Sequence, residues 1–283
     1  MIPAAVQQWC EQNGMGRVIA SQPVAGGCIN NGMRLTTANG STLFLKTNSQ
    51  VPADTFEKEA AGLRALNIPG GARIPQVYLS GAHYLLLEDL QPAPRRRDYW
   101  QQLGQQLAAL HNLTNPQFGF PHNNYIGATL QINSWTTDGY TFFAEHRLGY
   151  QTALARQKNR ITPEDARQIE RIAARLPALI PEQPASLLHG DLWSGNLLTD
   201  ALGNPALIDP AAHYGWAEAD LAMTALFGGF EDEFYEAYQR ARPLVPGLWE
   251  RIPIYNLYHL LNHVNLFGGG YLAQVKTILR RFA

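Results

Sequence analysis

The spacing of apolar residues divides the chain into a first stretch of short strand-like runs and a longer stretch with helical spacing. A helix is predicted from Pro3 to Asn13, followed by strand-like runs at Arg17 to Val24, Ile29 to Thr37 and Ser41 to Thr47. Asn39-Gly40 separates the last two, and both residues tolerate the positive φ of a type I′ hairpin turn. Phe56, Ala60, Leu63 and Leu66 then recur at helical spacing, with Asp54 placed as an N-cap and Pro69-Gly70-Gly71 as a stop. Runs at Gln76 to Ser80 and His83 to Glu88 add two strands. The expectation is a five-stranded antiparallel sheet with one inserted helix.

From about Gln91 the period changes. Trp100, Leu103, Leu107 and Leu110 form a core-facing helical stripe. Helices are also predicted at Tyr140 to Gln157, Thr162 to Ile180, Ala219 to Phe230, Asp232 to Arg242 and Trp249 to Phe267. One strand-like island, Ser186 to Asp209, interrupts them. Gln91-Pro92-Ala93-Pro94 reads as a linker, so an α+β chain is expected, with an N-terminal sheet lobe (1–90) and a mainly helical C-terminal lobe (91–283). The sequence contains no internal repeat and no low-complexity segment.

Composition narrows the classes of partner. Apolar residues are 46% and charged residues 16% of the 283, an ordinary globular balance. Basic (22) and acidic (23) residues nearly cancel, and six of each precede Leu90, so neither part is a basic nucleic-acid or membrane-surface binder. The triplet Arg95-Arg96-Arg97 reads as a solvated face. No secretory signal is expected from the opening residues, and no apolar run nears the roughly 20 residues that span a bilayer. Two cysteines, Cys10 and Cys28, are too few for a disulfide framework. A cytoplasmic protein is expected, of undetermined oligomeric state.

The chemistry is concentrated in the strand-like island. In Leu187-Leu188-His189-Gly190-Asp191-Leu192-Trp193-Ser194-Gly195-Asn196, Asp191 and Asn196 lie five positions apart, and Asp209 follows thirteen later. Phosphoryl transfer from ATP needs a carboxylate to take the acceptor's proton and hard oxygen ligands to hold Mg²⁺ on the phosphates. Protein-kinase catalytic loops supply both with the same offset and order. Asp191 is therefore the candidate base, and Asn196 and Asp209 are the candidate metal ligands. Gly26 and Gly27, between two strands, allow backbone N–H groups to approach a triphosphate. Lys46 closes the third strand, where it could face the α- and β-phosphates, and Glu59 on the next helix could orient it. Glu57 competes for that role by spacing. The run ending Glu88-Asp89-Leu90 is a candidate hinge whose backbone meets adenine.

The chain resembles the fructosamine kinase (ketosamine-3-kinase) family over nearly its whole length. The most specific match is His189 to Asn196, with its Leu-Trp-Ser-Gly insert. Others are Gly-Gly-Cys-Ile-Asn from Gly26, Phe-Phe-Ala-Glu-His-Arg-Leu from Phe142, Ala-Asp-Leu-Ala-Met from Ala219, and Leu-Tyr-His-Leu-Leu-Asn-His from Leu257 with Asn-Leu-Phe-Gly from Asn265. The resemblance implies a bilobal protein-kinase-like fold, ATP and Mg²⁺ as cofactors, and phosphorylation of the 3-hydroxyl of a ketosamine, small or protein-linked. The phosphate ester then decomposes and restores the free amine. It also implies the roles above for Asp191, Asn196, Asp209, Lys46, Glu59, Gly26 and Gly27, and structural roles for His189 and Asp220.

Trp193, two residues past the base, could stack on the acceptor sugar or pack the loop. Cys28 could be a redox position, since loop N–H groups favour a thiolate, or a small packing residue. The chain departs from the family pattern at His213, Trp216, Ala217 and Leu130, near the expected acceptor side. A kinase of another small hydroxyl acceptor, such as choline or an aminoglycoside, would use an acidic cleft. Glu231, Asp232 and Glu233 could form one, or simply a solvated helix start. A non-catalytic nucleotide-binding protein would be expected to lack the base, a metal ligand or the lysine, and all are present. No Ala-Pro-Glu segment follows Asp209, which disfavours a protein kinase.

Overall fold

The structure, a computed structural model, describes residues 2–24 and 31–283. Helix α1 (Ala4–Gln12) precedes strands β1 (Val18–Pro23), β2 (Asn31–Thr37) and β3 (Thr42–Thr47). Helix α2 (Thr55–Leu66) is inserted before β4 (Val77–Gly81) and β5 (Tyr84–Glu88). The five strands form one sheet in the order β1-β2-β3-β5-β4, and every pairing is antiparallel. Side chains alternate faces along a strand. Leu43 and Leu45 of β3 therefore pack with Leu35 and Leu86 against Val6 and Cys10 of α1, while Lys46 belongs to the opposite face. Burial pushes the Cys10 thiol up and keeps it an inert core group.

The hairpin at Asn39-Gly40 forms with a different turn from the one expected. Gly40 has φ +87°, Asn39 does not enter the positive region, and the Gly40 amide donates to the Thr37 carbonyl. This is a three-residue loop with glycine in the left-handed position. The Asn39 side chain accepts instead from Ser41 N and Thr37 Oγ1. Asp54 occupies the N-cap position of α2 without capping it; its carboxylate accepts from the Tyr125 hydroxyl at 2.7 Å.

The remainder is mainly helical. Helix α3 (Tyr99–His111) is followed by β6 (Thr114–Asn115), β7 (Asn124–Ile126) and β8 (Thr129–Gln131). Helix α4 (Gly139–Thr141) then runs through a π-helical segment (Phe142–Gly149) into α5 (Tyr150–Gln157), with α6 (Pro163–Ala174) and α7 (Leu176–Leu179) after it. Strands β9 (Ala185–Leu188), β10 (Leu197–Thr199), β11 (Pro205–Leu207) and β12 (His213–Gly215) lead to α8 (Ala217–Leu226), α9 (Asp232–Ala241), α10 (Leu248–Phe267) and α11 (Leu272–Phe282). The strand-like island is thus not isolated: β9 pairs with β6 and β12, and β10 with β11. The expected linker docks on the turn between β10 and β11, with Ala93 N donating to Asp200 O and, just after the linker, Arg96 N to Gly203 O. Among the described residues no helix is long and apolar enough to cross a membrane.

One hydrophobic cluster joins Phe56, Leu63, Leu85 and Leu87 to Leu103, Leu107, Leu187, Leu207 and Leu221, so β5 and α2 share a core with α3 and the strands around the island. A second is built from α10, α11, α6 and the π-helical segment. Helices α8 and α10 are tied by a buried ion pair, Glu218 with Arg251 at 2.6 Å, to which Tyr255 donates at 2.9 Å. Helices α3 and α9 lie so close that a Cβ on Gly104 would sit 2.4 Å from the Phe234 carbonyl and 2.9 Å from Tyr238 N. Gly104→Ala is expected to force them apart and cost about 1–3 kcal/mol, read as a lower urea midpoint.

Candidate active site

The loop between β9 and β10 is folded by a buried carboxylate. Asp220, in the first turn of α8, accepts from His189 N at 2.7 Å and Gly190 N at 2.8 Å. Gly190 has φ +83°, and a Cβ there would stand 2.2 Å from the Ala211 carbonyl, so only glycine fits. The His189 ring is buried, which lowers its pKa and keeps it neutral. Its Nε2 lies 3.0 Å from the Ile208 carbonyl and its Nδ1 3.3 Å from Asp191 N, which defines one tautomer. On the other side of Asp220, His111 Nε2 approaches at 3.2 Å and His111 Nδ1 meets the Tyr238 hydroxyl at 2.8 Å. Burial opposes ionisation of Asp220, but hydrogen bonds from His111 and Gly190 outweigh it and hold the carboxyl below the usual range.

Asp191 and Asn196 meet directly. Asn196 Nδ2 donates to the Asp191 carbonyl at 2.8 Å and to Asp191 Oδ2 at 3.1 Å. Burial pushes the Asp191 carboxyl up to about 7, against the Asn196 hydrogen bond and helped by the charges of Asp209 and Asp220. Such a value suits a group that must take a proton near neutral pH.

Lys46, Glu59 and Asp209 form a second cluster. Lys46 Nζ lies 2.6 Å from Glu59 Oε1 and is also paired with Asp209 Oδ1. Glu57 is exposed on the other side of α2 and has no part in it. Burial disfavours the Lys46 ammonium, but the two carboxylates outweigh that and raise its pKa above the ordinary lysine range. Burial in turn raises the Glu59 carboxyl, with Lys46 opposing. Asp209 has φ +55°, rare for a residue with a side chain, and this turns the chain out of β11.

The fit to Mg²⁺ rests on the donors left over. Asn196 uses its amide nitrogen on Asp191, which leaves its oxygen, and Asp209 uses one oxygen on Lys46, which leaves the other. Among the described residues no group of three or more His, Cys, Asp or Glu side chains could hold a metal by itself. Two hard oxygens completed by phosphate oxygens and water suit Mg²⁺.

The hinge candidates are pinned from two sides. The Glu88 carboxylate pairs with Arg73 and accepts from Gln76 N, so Glu88 can offer a nucleotide only its backbone. Asp89 takes a two-pronged pair from Arg34 of β2, at 2.7 and 3.1 Å. Leu90 is buried, and Gln91, at φ +48°, donates through Nε2 to Thr42 Oγ1. Gly26, Gly27 and Cys28 lie outside the described residues.

Trp193 lies half-buried, its indole folded over Gly195, where an added Cβ would come within 2.3 Å of the ring. Gly195 has no positive φ, so Gly195→Ala displaces the indole without straining the loop. The variant is expected to raise the acceptor's KM about 2–10-fold and leave the ATP KM unchanged, as initial rates would show. Of the positions that depart from the family pattern, His213, Trp216 and Ala217 are buried, with His213 Nδ1 3.1 Å from where a Cβ on Gly190, next to Asp191, would stand, and Leu130 is on the β7–β8 hairpin. Glu231, Asp232 and Glu233 are exposed at the start of α9, a helix-start arrangement. His263 and Phe267 lie in the quoted family motifs, but sequence reasoning did not single out Phe227, just past α8, which meets Trp193 at 6.0 Å, or Tyr271, after α10; Phe227 in turn meets His263, and His263 meets Phe267 and Tyr271.

Comparison with known proteins accounts for the arrangement. The fructosamine kinase family profile matches residues 1–283. A probable ketoamine kinase of Synechocystis sp. is 44% identical over 270 residues, covering 94% of this chain and 90% of its own. A chloroplastic protein-ribulosamine 3-kinase of Oryza sativa is 36% identical over 285 residues, with 97% and 82% covered. A crystal structure from Thermobifida fusca, provisionally named fructosamine-3-kinase, superposes with a TM-score of 0.90 at 33% identity, covering 99% and 98% of the two chains. A macrolide 2′-phosphotransferase type I shares the fold alone, with a TM-score of 0.64 at 15% identity over 100% of this chain and 98% of its own. The chain, with its five-stranded antiparallel sheet and helical remainder, has the protein-kinase-like fold and belongs to the fructosamine kinase family.

Proposed function

We propose that the protein transfers the γ-phosphate of ATP to the 3-hydroxyl of a ketosamine, the adduct of a ketose with an amine such as that of lysine. The observation that carries this reading is the pairing of Asp191 with Asn196 beside the Lys46–Glu59–Asp209 cluster. The probable ketoamine kinase and protein-ribulosamine 3-kinase among its relatives supply the acceptor class. Residues 1–90 would contribute the nucleotide-binding part and 91–283 the base and the acceptor surface.

In this reading Asp191 accepts the proton of the acceptor hydroxyl, and Asn196 holds that carboxylate in place by its amide nitrogen. Lys46, held by Glu59, offers its ammonium to the α- and β-phosphates. The Asn196 and Asp209 oxygens would hold Mg²⁺, which when bound neutralises charge on the phosphates. Asp220 keeps the loop backbone rigid through two amides. The Glu88–Leu90 backbone would meet adenine. A 3-phosphate sits on the carbon next to the C2 ketone. After enolisation toward C1 it leaves C3 as inorganic phosphate, the nitrogen lone pair forming a C1 iminium. Hydrolysis of that iminium by water frees the amine, which would make the enzyme a repair kinase.

Phosphorus NMR of the product of ribulose-lysine and Mg·ATP tests the position. A resonance coupled to the C3 proton, followed by inorganic phosphate and free lysine, is expected. A stable ester at another carbon would overturn the 3-hydroxyl assignment.

A further inference from the structure

The β7–β8 hairpin carries a line of buried polar side chains to which the reaction gives no part. Asn124, Gln131 and, just past β8, Asn133 are buried, and so is Arg147 of the π-helical segment. Arg147 donates through Nη2 to Asn133 Oδ1 at 2.8 Å and through Nη1 to the Ile132 carbonyl at 2.6 Å. Among the described residues no carboxylate pairs with it, and burial lowers its pKa only to about 10, so it is charged at neutral pH. Buried polar groups are costly unless bonded, and a linked set of them holds one arrangement.

A guanidinium only donates, and this orients every amide beyond it. With its oxygen taken by Arg147, Asn133 donates through Nδ2 to Asn124 Oδ1 at 2.8 Å. Asn124 in turn directs its own Nδ2 to the Ala212 carbonyl at 2.9 Å. Gln131, opposite Asn124 in the hairpin, is oriented by Tyr258, which donates to its oxygen at 2.7 Å. Gln131 Nε2 then donates to Asn124 Oδ1 at 2.8 Å and to the Ala211 carbonyl at 3.0 Å. The line of donors ends on two successive backbone carbonyls just past Asp209.

Those two carbonyls belong to a segment that touches every part of the site. Ala211 N donates to the His189 carbonyl at 2.9 Å, and the Ala211 carbonyl is the group that admits only glycine at position 190. Toward α2, a Cβ on Gly62 would stand 3.3 Å from Pro210 and 3.5 Å from Ala212. The same hairpin reaches α2 through the hydrogen bond from Tyr125 to Asp54. A φ of +55° at a residue with a side chain, as at Asp209, persists only where the surroundings over-determine it.

We propose that Asn124 and Gln131 are positioning residues for Asp209. By holding the Ala211 and Ala212 carbonyls they keep the Asp209 backbone in the conformation that presents its free oxygen to Mg²⁺. The assignment rests on the reading of Asp209 as a metal ligand and adds the residues that aim it.

The test is calorimetric titration with the non-hydrolysable ATP analogue AMPPNP, in Mg²⁺ and in EDTA, together with urea midpoints. Asn124→Leu and Gln131→Met are each expected to weaken binding in Mg²⁺ about 10–100-fold and to bind in EDTA as wild type does. Gly104→Ala, between α3 and α9, serves as the control for lost stability: its urea midpoint falls while both affinities stay. Either hairpin variant suffices if the other does not fold. Hairpin variants that lose stability as Gly104→Ala does but bind in Mg²⁺ as tightly as wild type would overturn the assignment, as would an equal loss in Mg²⁺ and in EDTA. Asp209→Asn is expected to show the same loss confined to Mg²⁺. If it bound normally, the metal-ligand reading itself would have failed, and the brace with it.

Discussion

Asp191→Asn is expected to lower kcat by about 10²–10⁴-fold, the usual cost of losing a general base. The substitution keeps shape and volume, and the asparagine oxygen can still accept from Asn196 Nδ2 as Asp191 does at 3.1 Å. Loop geometry is maintained by contacts that the substitution does not touch, namely the Asp220 bonds to His189 N and Gly190 N. The variant should therefore bind ATP as tightly and, at neutral pH, unfold at a denaturant concentration no lower than wild type, since it removes a carboxyl that burial makes costly to ionise. A loss of rate without a loss of folding or nucleotide affinity separates the base from a structural carboxylate. If the variant kept near wild-type turnover, the proton would be leaving by another route and the assignment would be wrong.

Lys46→Met is expected to affect both catalysis and stability. The side chain is 7% exposed and stands between Glu59 and Asp209. Without the ammonium the two carboxylates confront one another with their charge uncompensated, a situation that costs about 3–5 kcal/mol. Removing a donor aimed at phosphate charge is expected to lower kcat/KM for ATP by an order of 10²–10³. The stability deficit should depend on pH in a defined direction. With Lys46 gone, burial and the Asp209 charge act together on Glu59 and place its folded-state pKa above the unfolded value. The penalty is then full above the folded-state pKa and absent below the unfolded one. Relative to wild type, the deficit should shrink as pH falls from about 8 to about 5. Urea midpoints at both ends of that range measure it, and a deficit that grew on acidification would contradict the picture of a stranded carboxylate.

Much of this architecture is legible because it is written in short-range pattern. Short strand-like apolar runs at Thr42 to Thr47 and Tyr84 to Glu88, and helical spacing from Phe56 to Leu66 and from Trp100 to Leu110, locate the sheet and the helices that support it. The Asp-to-Asn offset in 191–196 is local too. Strands β6, β7, β8 and β12 are two or three residues long, shorter than any window in which a period can be read. Helix α11 does carry a readable stripe, Leu272, Val275, Ile278 and Leu279, but it follows three glycines that suggest an ending.

Other features depend on the chain meeting itself. The choice of Glu59 over Glu57 is made by the register of α2 against β3, which spacing does not specify. The left-handed backbone at Asp209 follows from the turn it makes, since nothing in its residue type requires it. Two positions that depart from the family pattern, His213 and Trp216, are buried beside Gly190 of the catalytic loop, because β12 runs beside β9 and carries this segment inward. The ring chain that leads from Trp193 through Phe227 and His263 to Tyr271 is assembled from the end of α8, α10 and the turn after α10, segments that no local pattern links.

The account rests on one claim, that Asp191 is the base of a ketosamine phosphotransferase. The most direct measurement is ADP release from Mg·ATP in the presence of ribulose-lysine, with wild type and Asp191→Asn side by side and choline and an aminoglycoside as alternative acceptors. Ketosamine-dependent ADP release that the variant loses is the predicted result. Release that depends on choline or the aminoglycoside alone, or that persists in the variant, would contradict it.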